Sequence, residues 1–141
     1  MDWSVVRRLW EKWAPNNVGY SGGHPLKAAL LINYDPSGPS RLLSTMCFSA
    51  RPAPFEGSPG WIVQLGRLPR APLPHYLVTS IHESWFCARC LNTPKQAGEG
   101  AIVMLTSAFV LVGLYEGSVG SASRAMVAVD QLSGQLSRRN L

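Results

Sequence analysis

The alternation of apolar and polar positions divides the chain into segments with distinct periods. Trp3, Val6, Trp10 and Trp13 recur at the spacing of one helical face, with Leu9 beside it. Arg7, Arg8, Glu11 and Lys12 fall mostly elsewhere, so residues 3–13 predict an amphipathic helix. Asp2 is its expected N-cap, and Pro15 with Asn16 and Asn17 its expected stop. The three tryptophans are read first as a stripe packed on the parent domain, with a partner-binding stripe as the alternative. Gly19 to Pro25 is a turn. It precedes a strand rather than following one and lacks the Gly-Lys-Ser/Thr ending of a phosphate loop. Lys27 to Tyr34 and Arg41 to Phe48 predict two strands, joined as a hairpin by the type I turn signal Asp35-Pro36-Ser37-Gly38.

Between residues 51 and 74 stand Pro52, Pro54, Pro59, Pro69, Pro72 and Pro74, which predict irregular surface chain. Trp61 to Leu65 is a short edge-strand candidate within it. From Pro74 onward Leu77, Ile81, Trp85 and Ala88 share helical spacing and predict a second helix reaching Leu91. Ala101 to Tyr115 is the most apolar stretch, divided by Thr106-Ser107-Ala108. At 15 residues it is short of the roughly 20 needed to span a bilayer as a helix. Its Val, Ile and Phe content predicts two buried strands, 101–105 and 109–115, covered on both faces. Ser121 is the expected cap of a last helix whose apolar face is Ala122, Ala125, Met126, Val129, Leu132 and Leu136. Arg138 and Arg139 suit the negative end of its dipole.

The 141 residues fit one domain, 1–141, with 51–74 as a Pro-rich insertion. Charged residues make up only 15% of the chain, which favours a surface partly covered by a partner. The net charge of +5 is spread along the chain, with Arg7-Arg8 and Arg138-Arg139 as its close pairs. No basic and aromatic stripe marks a nucleic-acid footprint. Met1-Asp2-Trp3 opens neither a signal peptide nor a myristoylation site, so a cytoplasmic protein is expected.

Candidate chemistry is sparse. Cys87-Ala88-Arg89-Cys90 is a lone Cys-x-x-Cys without a second pair. A metal site would have to add His82 and recruit His75 or Cys47 through the fold, and a redox pair would need an exposed helix start. The cysteines are therefore read first as core residues, with a zinc-binding or thiol-redox protein using Cys87 and Cys90 as the alternative. His82 and Glu83 have no evident nucleophile beside them. Gly117-Ser118-Val119-Gly120 lacks the spacing of a nucleophile elbow, and no two carboxylates form a close pair in the sequence. The expectation is a non-enzyme with no cofactor and no metal.

The predicted order is helix, hairpin, long connection, helix, hairpin, helix. With WSVVRRLWEKW leading into KAALLINYDPSG, and an apolar hairpin ending in Leu114-Tyr115 before an Ala-rich helix, the chain resembles the roadblock family. It is most similar to the roadblock-type scaffold subunits of the Ragulator kind, which keep a C-terminal helix. The resemblance implies an α/β (α+β) fold, a roadblock/profilin-like antiparallel sheet with helices on both faces. It implies a scaffold or adaptor subunit that heterodimerises with a second roadblock-type subunit and forms a platform for small GTPases. Relatives act in TOR signalling at late endosomal and lysosomal membranes, attached peripherally. Mapped on this chain, residues 77–88, with Leu77, Ile81, Trp85 and Ala88, are the expected dimer face, and the first and last helices pack together on the opposite side of the sheet. Residues 92–100 are polar where the family has a further strand, so WIVQL or residues 85–90 would have to supply it.

Overall fold

The structure, a computed structural model, describes residues 2–19, 23–34, 42–44 and 75–141. The elements run in the order α1 (Trp3–Asn17), β1 (Ala28–Asn33), β2 (Leu42–Ser44), β3 (Tyr76–Ile81), β4 (Trp85–Cys90), β5 (Glu99–Leu105), β6 (Phe109–Glu116) and α2 (Val119–Ser137). The six strands form one sheet of order β2-β1-β6-β5-β4-β3, antiparallel throughout. The fold is α+β, as expected. The Pro-rich stretch 51–74, the 35–38 turn and Cys47 lie outside the described residues.

Four residues longer at its end than the predicted 3–13, α1 runs through Pro15, the expected stop, to Asn17. Proline removes only its own N–H from the ladder. The side-chain amides of Asn16 and Asn17 then donate to the carbonyls of Lys12 and Trp13, at 3.0 and 2.8 Å, and so satisfy the last turn. At the other end Asp2 accepts a hydrogen bond from the Ser4 amide at 3.0 Å, the expected N-cap.

Opposed residues in a sheet share a face, so the registers sort the side chains into two sets. One set contains Ala29 and Leu31 of β1, Phe109, Leu111 and Tyr115 of β6, and Ile102 and Met104 of β5. On it sit both helices, which contribute Val6, Trp10, Trp13, Ala125, Val129, Leu132 and Leu136 to a single buried cluster. The tryptophan stripe is therefore core. Trp10 and Trp13 are buried, Trp3 lies against Phe109, and the Trp13 indole N–H donates to the Ala128 carbonyl at 2.8 Å, tying α1 to α2. The two helices pack together on one side of the sheet, as the resemblance implies, but residues 77–88 lie within the sheet rather than on a helix opposite them.

The predicted hairpin of the apolar run forms as β5 and β6. Its turn is closed by the Thr106 amide, which donates to the Phe109 carbonyl at 2.9 Å, and the Thr106 hydroxyl accepts from the Phe109 amide at 3.1 Å. At the chain end Arg138 and Arg139 donate to the carbonyls of Gly134 and Gln135. Asn140 takes a left-handed conformation, and the Leu141 amide reaches back to the Leu136 carbonyl, closing α2.

The helix predicted over 74–91 does not form. Those residues are the antiparallel hairpin β3–β4, with Glu83 and Ser84 at its turn. Tyr76, Val78, Thr79, Ile81, Trp85 and Phe86 are β-branched or aromatic, and cross-strand packing overrides their accidental helical spacing. Residues 85–90 thus supply the strand that the polar 92–100 segment lacked. Among the described residues no helix lies on the second face of the sheet.

Candidate functional site

The hairpin decides where the expected interface residues go. Leu77 opposes Arg89, and Trp85 opposes Met104, so both point to the helix-bearing face. Ile81 opposes Phe86, and Ala88 opposes Val78 and Ala101, so both belong to the second face. A bulge between Val78 and Ser80 switches the parity within β3. The four residues therefore do not form one stripe. Ala88 is buried and Trp85 half-buried, whereas Leu77 is 55% exposed and Ile81 78% exposed.

Among the described residues β3 is the outermost strand on its side and is hydrogen-bonded only to β4. Its sequence, Tyr-Leu-Val-Thr-Ser-Ile, has no charge and no proline, and Val78 joins Leu77 and Ile81 in standing exposed. Edge strands are ordinarily protected from pairing by lysine, proline, extreme shortness or cover. This one carries a bulge and, among the described residues, has no other guard. The opposite edge, β2, is a three-residue strand.

The largest gathering of charge lies at one end of the sheet. Glu99 accepts hydrogen bonds from Lys27 and Thr93, and Glu116 lies 3.7 Å from Lys27 and 3.5 Å from Lys95. Arg89 reaches across the helix-bearing face to donate to the Gly117 carbonyl at 2.8 Å and the Tyr115 hydroxyl at 3.3 Å. Burial pushes the Glu99 carboxyl up. The hydrogen bonds from Lys27 and Thr93, with the charges of Lys27 and Lys95, outweigh it and hold the group below the usual glutamate value. Burial pushes the Tyr76 phenol up to about 12, with the charges of Cys90 and Glu99 adding to the effect. Each charged member has a partner within the cluster. The arrangement clasps β1, β4, β5 and β6 together and holds no unpaired base or nucleophile. Gly98 belongs to it: its φ is +88°, and a side chain there would strike the Arg89 guanidinium.

Cys87 opposes Ile102 on the helix-bearing face, and Cys90 opposes Tyr76 on the other. Three residues apart on a strand, the two thiols point to opposite sides of the sheet, because strand side chains alternate. Cys87 packs against the core cluster, and the Cys90 thiol lies 3.4 Å from the Asn92 side-chain oxygen. The His82 ring stacks on Trp85 at 3.8 Å between centroids. Among the described residues no three of His, Cys, Asp and Glu gather as metal ligands would.

Sequence reasoning put the expected dimer face, residues 77–88, on a helix, and the structure makes that stretch the β3–β4 hairpin. The signal it passed over is the absence of charge through residues 76–81. The charged clasp was invisible, because Lys27, Arg89, Glu99 and Glu116 meet only through strand pairing. Comparison with protein-family models, with curated proteins and with solved structures finds no match. No helix among the described residues is long and apolar enough to cross a membrane.

Proposed function

We propose that this protein is a non-catalytic scaffold or adaptor subunit that pairs through β3 with a second, roadblock-type subunit. The observation that carries the reading is the unguarded edge strand, uncharged from Tyr76 to Ile81, with Leu77, Val78 and Ile81 exposed on it. A strand laid along this edge satisfies its outward backbone groups and flanks Leu77 on one face and Val78 and Ile81 on the other. The low charge content of the chain points the same way. The paired assembly offers its joined surface as a platform for a small GTPase in a cytoplasmic signalling or trafficking complex of the TOR-signalling kind, attached peripherally to late endosomal or lysosomal membrane. Support for that further step is the resemblance of the helix-hairpin and hairpin-helix segments to roadblock scaffold subunits, with which the α+β sheet and its paired terminal helices are compatible.

The test is light scattering on the co-expressed assembly, comparing the natural chain with Ile81→Lys. The natural chain is expected to co-purify with a roadblock-type subunit, and the lysine variant to separate from it while keeping its circular dichroism. A natural chain that stays monomeric with every such subunit offered, or an assembly indifferent to Ile81→Lys and Leu77→Lys, overturns the proposal.

A further inference from the structure

Beside α2, on the helix-bearing face, runs an open groove of about 830 Å³. Its presence follows from the width of the sheet. Six strands about 4.8 Å apart span about 24 Å, and two helices about 10 Å across do not cover them. α2 lies over β5 and β6 with α1 against it, so among the described residues no helix covers the β4 side of that face beside α2. The groove floor is apolar: Trp85 and Met104 from the sheet, and Met126 and Val127 from α2, with Leu105 at the groove's edge. Leu105 is 46% exposed and Val127 70%.

Three features give the groove a chemical preference. Glu83 stands on the β3–β4 turn and Asp130 on α2, and among the described residues neither has an ion-pair partner. No lysine or arginine lines the groove, although the chain as a whole carries +5. Ser133 is 93% buried, yet its hydroxyl has no hydrogen-bond partner among the described residues. A buried hydroxyl left unpaired is costly, and one that lines a groove is available to an incoming polar group. Along α2 the groove wall runs Met126, Asp130, Ser133, Gly134 and Ser137, one helical stripe whose second half is small enough to let another helix approach closely.

We infer that this groove receives a basic amphipathic helix from a partner protein, lying beside α2 as a third member of the helical layer. Its apolar face meets Trp85, Met104, Met126 and Val127, and its lysine or arginine side chains meet Glu83 and Asp130. This surface is separate from the β3 edge, and the inference does not depend on pairing there.

The probe is a fluorescein-labelled peptide of about 18 residues, with leucines on one helical face and lysines on its flanks, against the same peptide with glutamate for lysine. Fluorescence anisotropy is read with the natural chain, with Glu83→Lys/Asp130→Lys, with Val127→Glu and with Ile81→Lys. The lysine peptide is expected to bind the natural chain about tenfold tighter than the glutamate peptide, with an advantage that shrinks as salt rises. The double charge reversal inverts that preference, Val127→Glu abolishes binding of the lysine peptide, and Ile81→Lys changes nothing. Val127 is exposed enough for its variant to fold, which circular dichroism checks. Absence of binding, equal binding of the two peptides, or binding indifferent to the charge reversal or to Val127→Glu overturns the inference.

Discussion

Gly113 lies at the centre of β6, beneath α2. A β-carbon there would sit 2.6 Å from Cγ2 of Val129 and 3.0 Å from Cδ2 of Leu26, both fully buried. The first distance is shorter than any carbon–carbon contact tolerates, so Gly113→Ala must push α2 away from the sheet or turn the valine. Overpacking of this kind costs about 1–3 kcal/mol. The gain from removing a flexible glycine from a strand offsets about 0.5–1 kcal/mol of that. A net loss of about 1–2 kcal/mol is expected. Val129→Ala alone removes two buried methyl groups and costs about 2 kcal/mol through lost burial and the cavity left behind. In the Val129→Ala background the same Gly113→Ala change fills the vacated space, because only the movable tip of Leu26 still has to shift. It should then be neutral or mildly stabilising, giving a coupling of about 1–2 kcal/mol between the two positions. Urea unfolding of the four chains at 25 °C, followed by circular dichroism, measures all the terms. A Gly113→Ala chain as stable as the natural one, or a penalty unchanged in the Val129→Ala background, would refute the placement of α2 against β6.

Trp13→Phe removes the buried indole bond to the Ala128 carbonyl and part of the ring volume, so a loss of about 2 kcal/mol is expected in the same urea assay. The Glu99 carboxyl has a folded-state pKa below its ordinary value of 4.5, so its contribution to stability is full above that value and fades as the pH falls through the folded pKa. Stability measured between about pH 6 and pH 3 should therefore decline less steeply in Glu99→Gln than in the natural chain; parallel slopes would contradict the assignment. Cys87 and Cys90 face opposite sides of the sheet, so mild oxidation of the folded protein should yield no disulfide between them. Peptide mass mapping after alkylation checks this, and recovery of that linked pair from folded protein would contradict the hairpin.

The parts of the fold readable from the chain are those in which one period persists long enough to exclude the other. The tryptophans of α1 and the aliphatic face of α2 hold helical spacing over several turns. The run from Ala101 to Tyr115 was legible through its composition and its Thr106-Ser107-Ala108 break. The β3–β4 hairpin defeated the same reasoning for a local reason. The bulge near Thr79 shifts side-chain parity in mid-strand, so β3 never shows clean alternation, while Leu77, Ile81, Trp85 and Ala88 happen to repeat at helical intervals. Of the four residues expected at a dimer face, Leu77 and Ile81 stand exposed on the hairpin while Ala88 is buried. The groove beside α2 could not be foreseen. Asp130, Ser133 and Ser137 look like an ordinary solvated helix face until the sheet is seen to extend past the helix. The carboxylate of Glu83 arrives there only because the hairpin turns where it does.

Amide hydrogen exchange along β3, read by mass spectrometry in the assembly and in the dissociated Ile81→Lys chain, tests the edge-pairing account most directly. Pairing through this strand predicts that residues 76–81 are strongly protected in the assembly and exchange far faster in the separated chain, while β5 and β6 stay protected in both. Fast exchange along β3 within an intact assembly, with protection arising elsewhere, would contradict it.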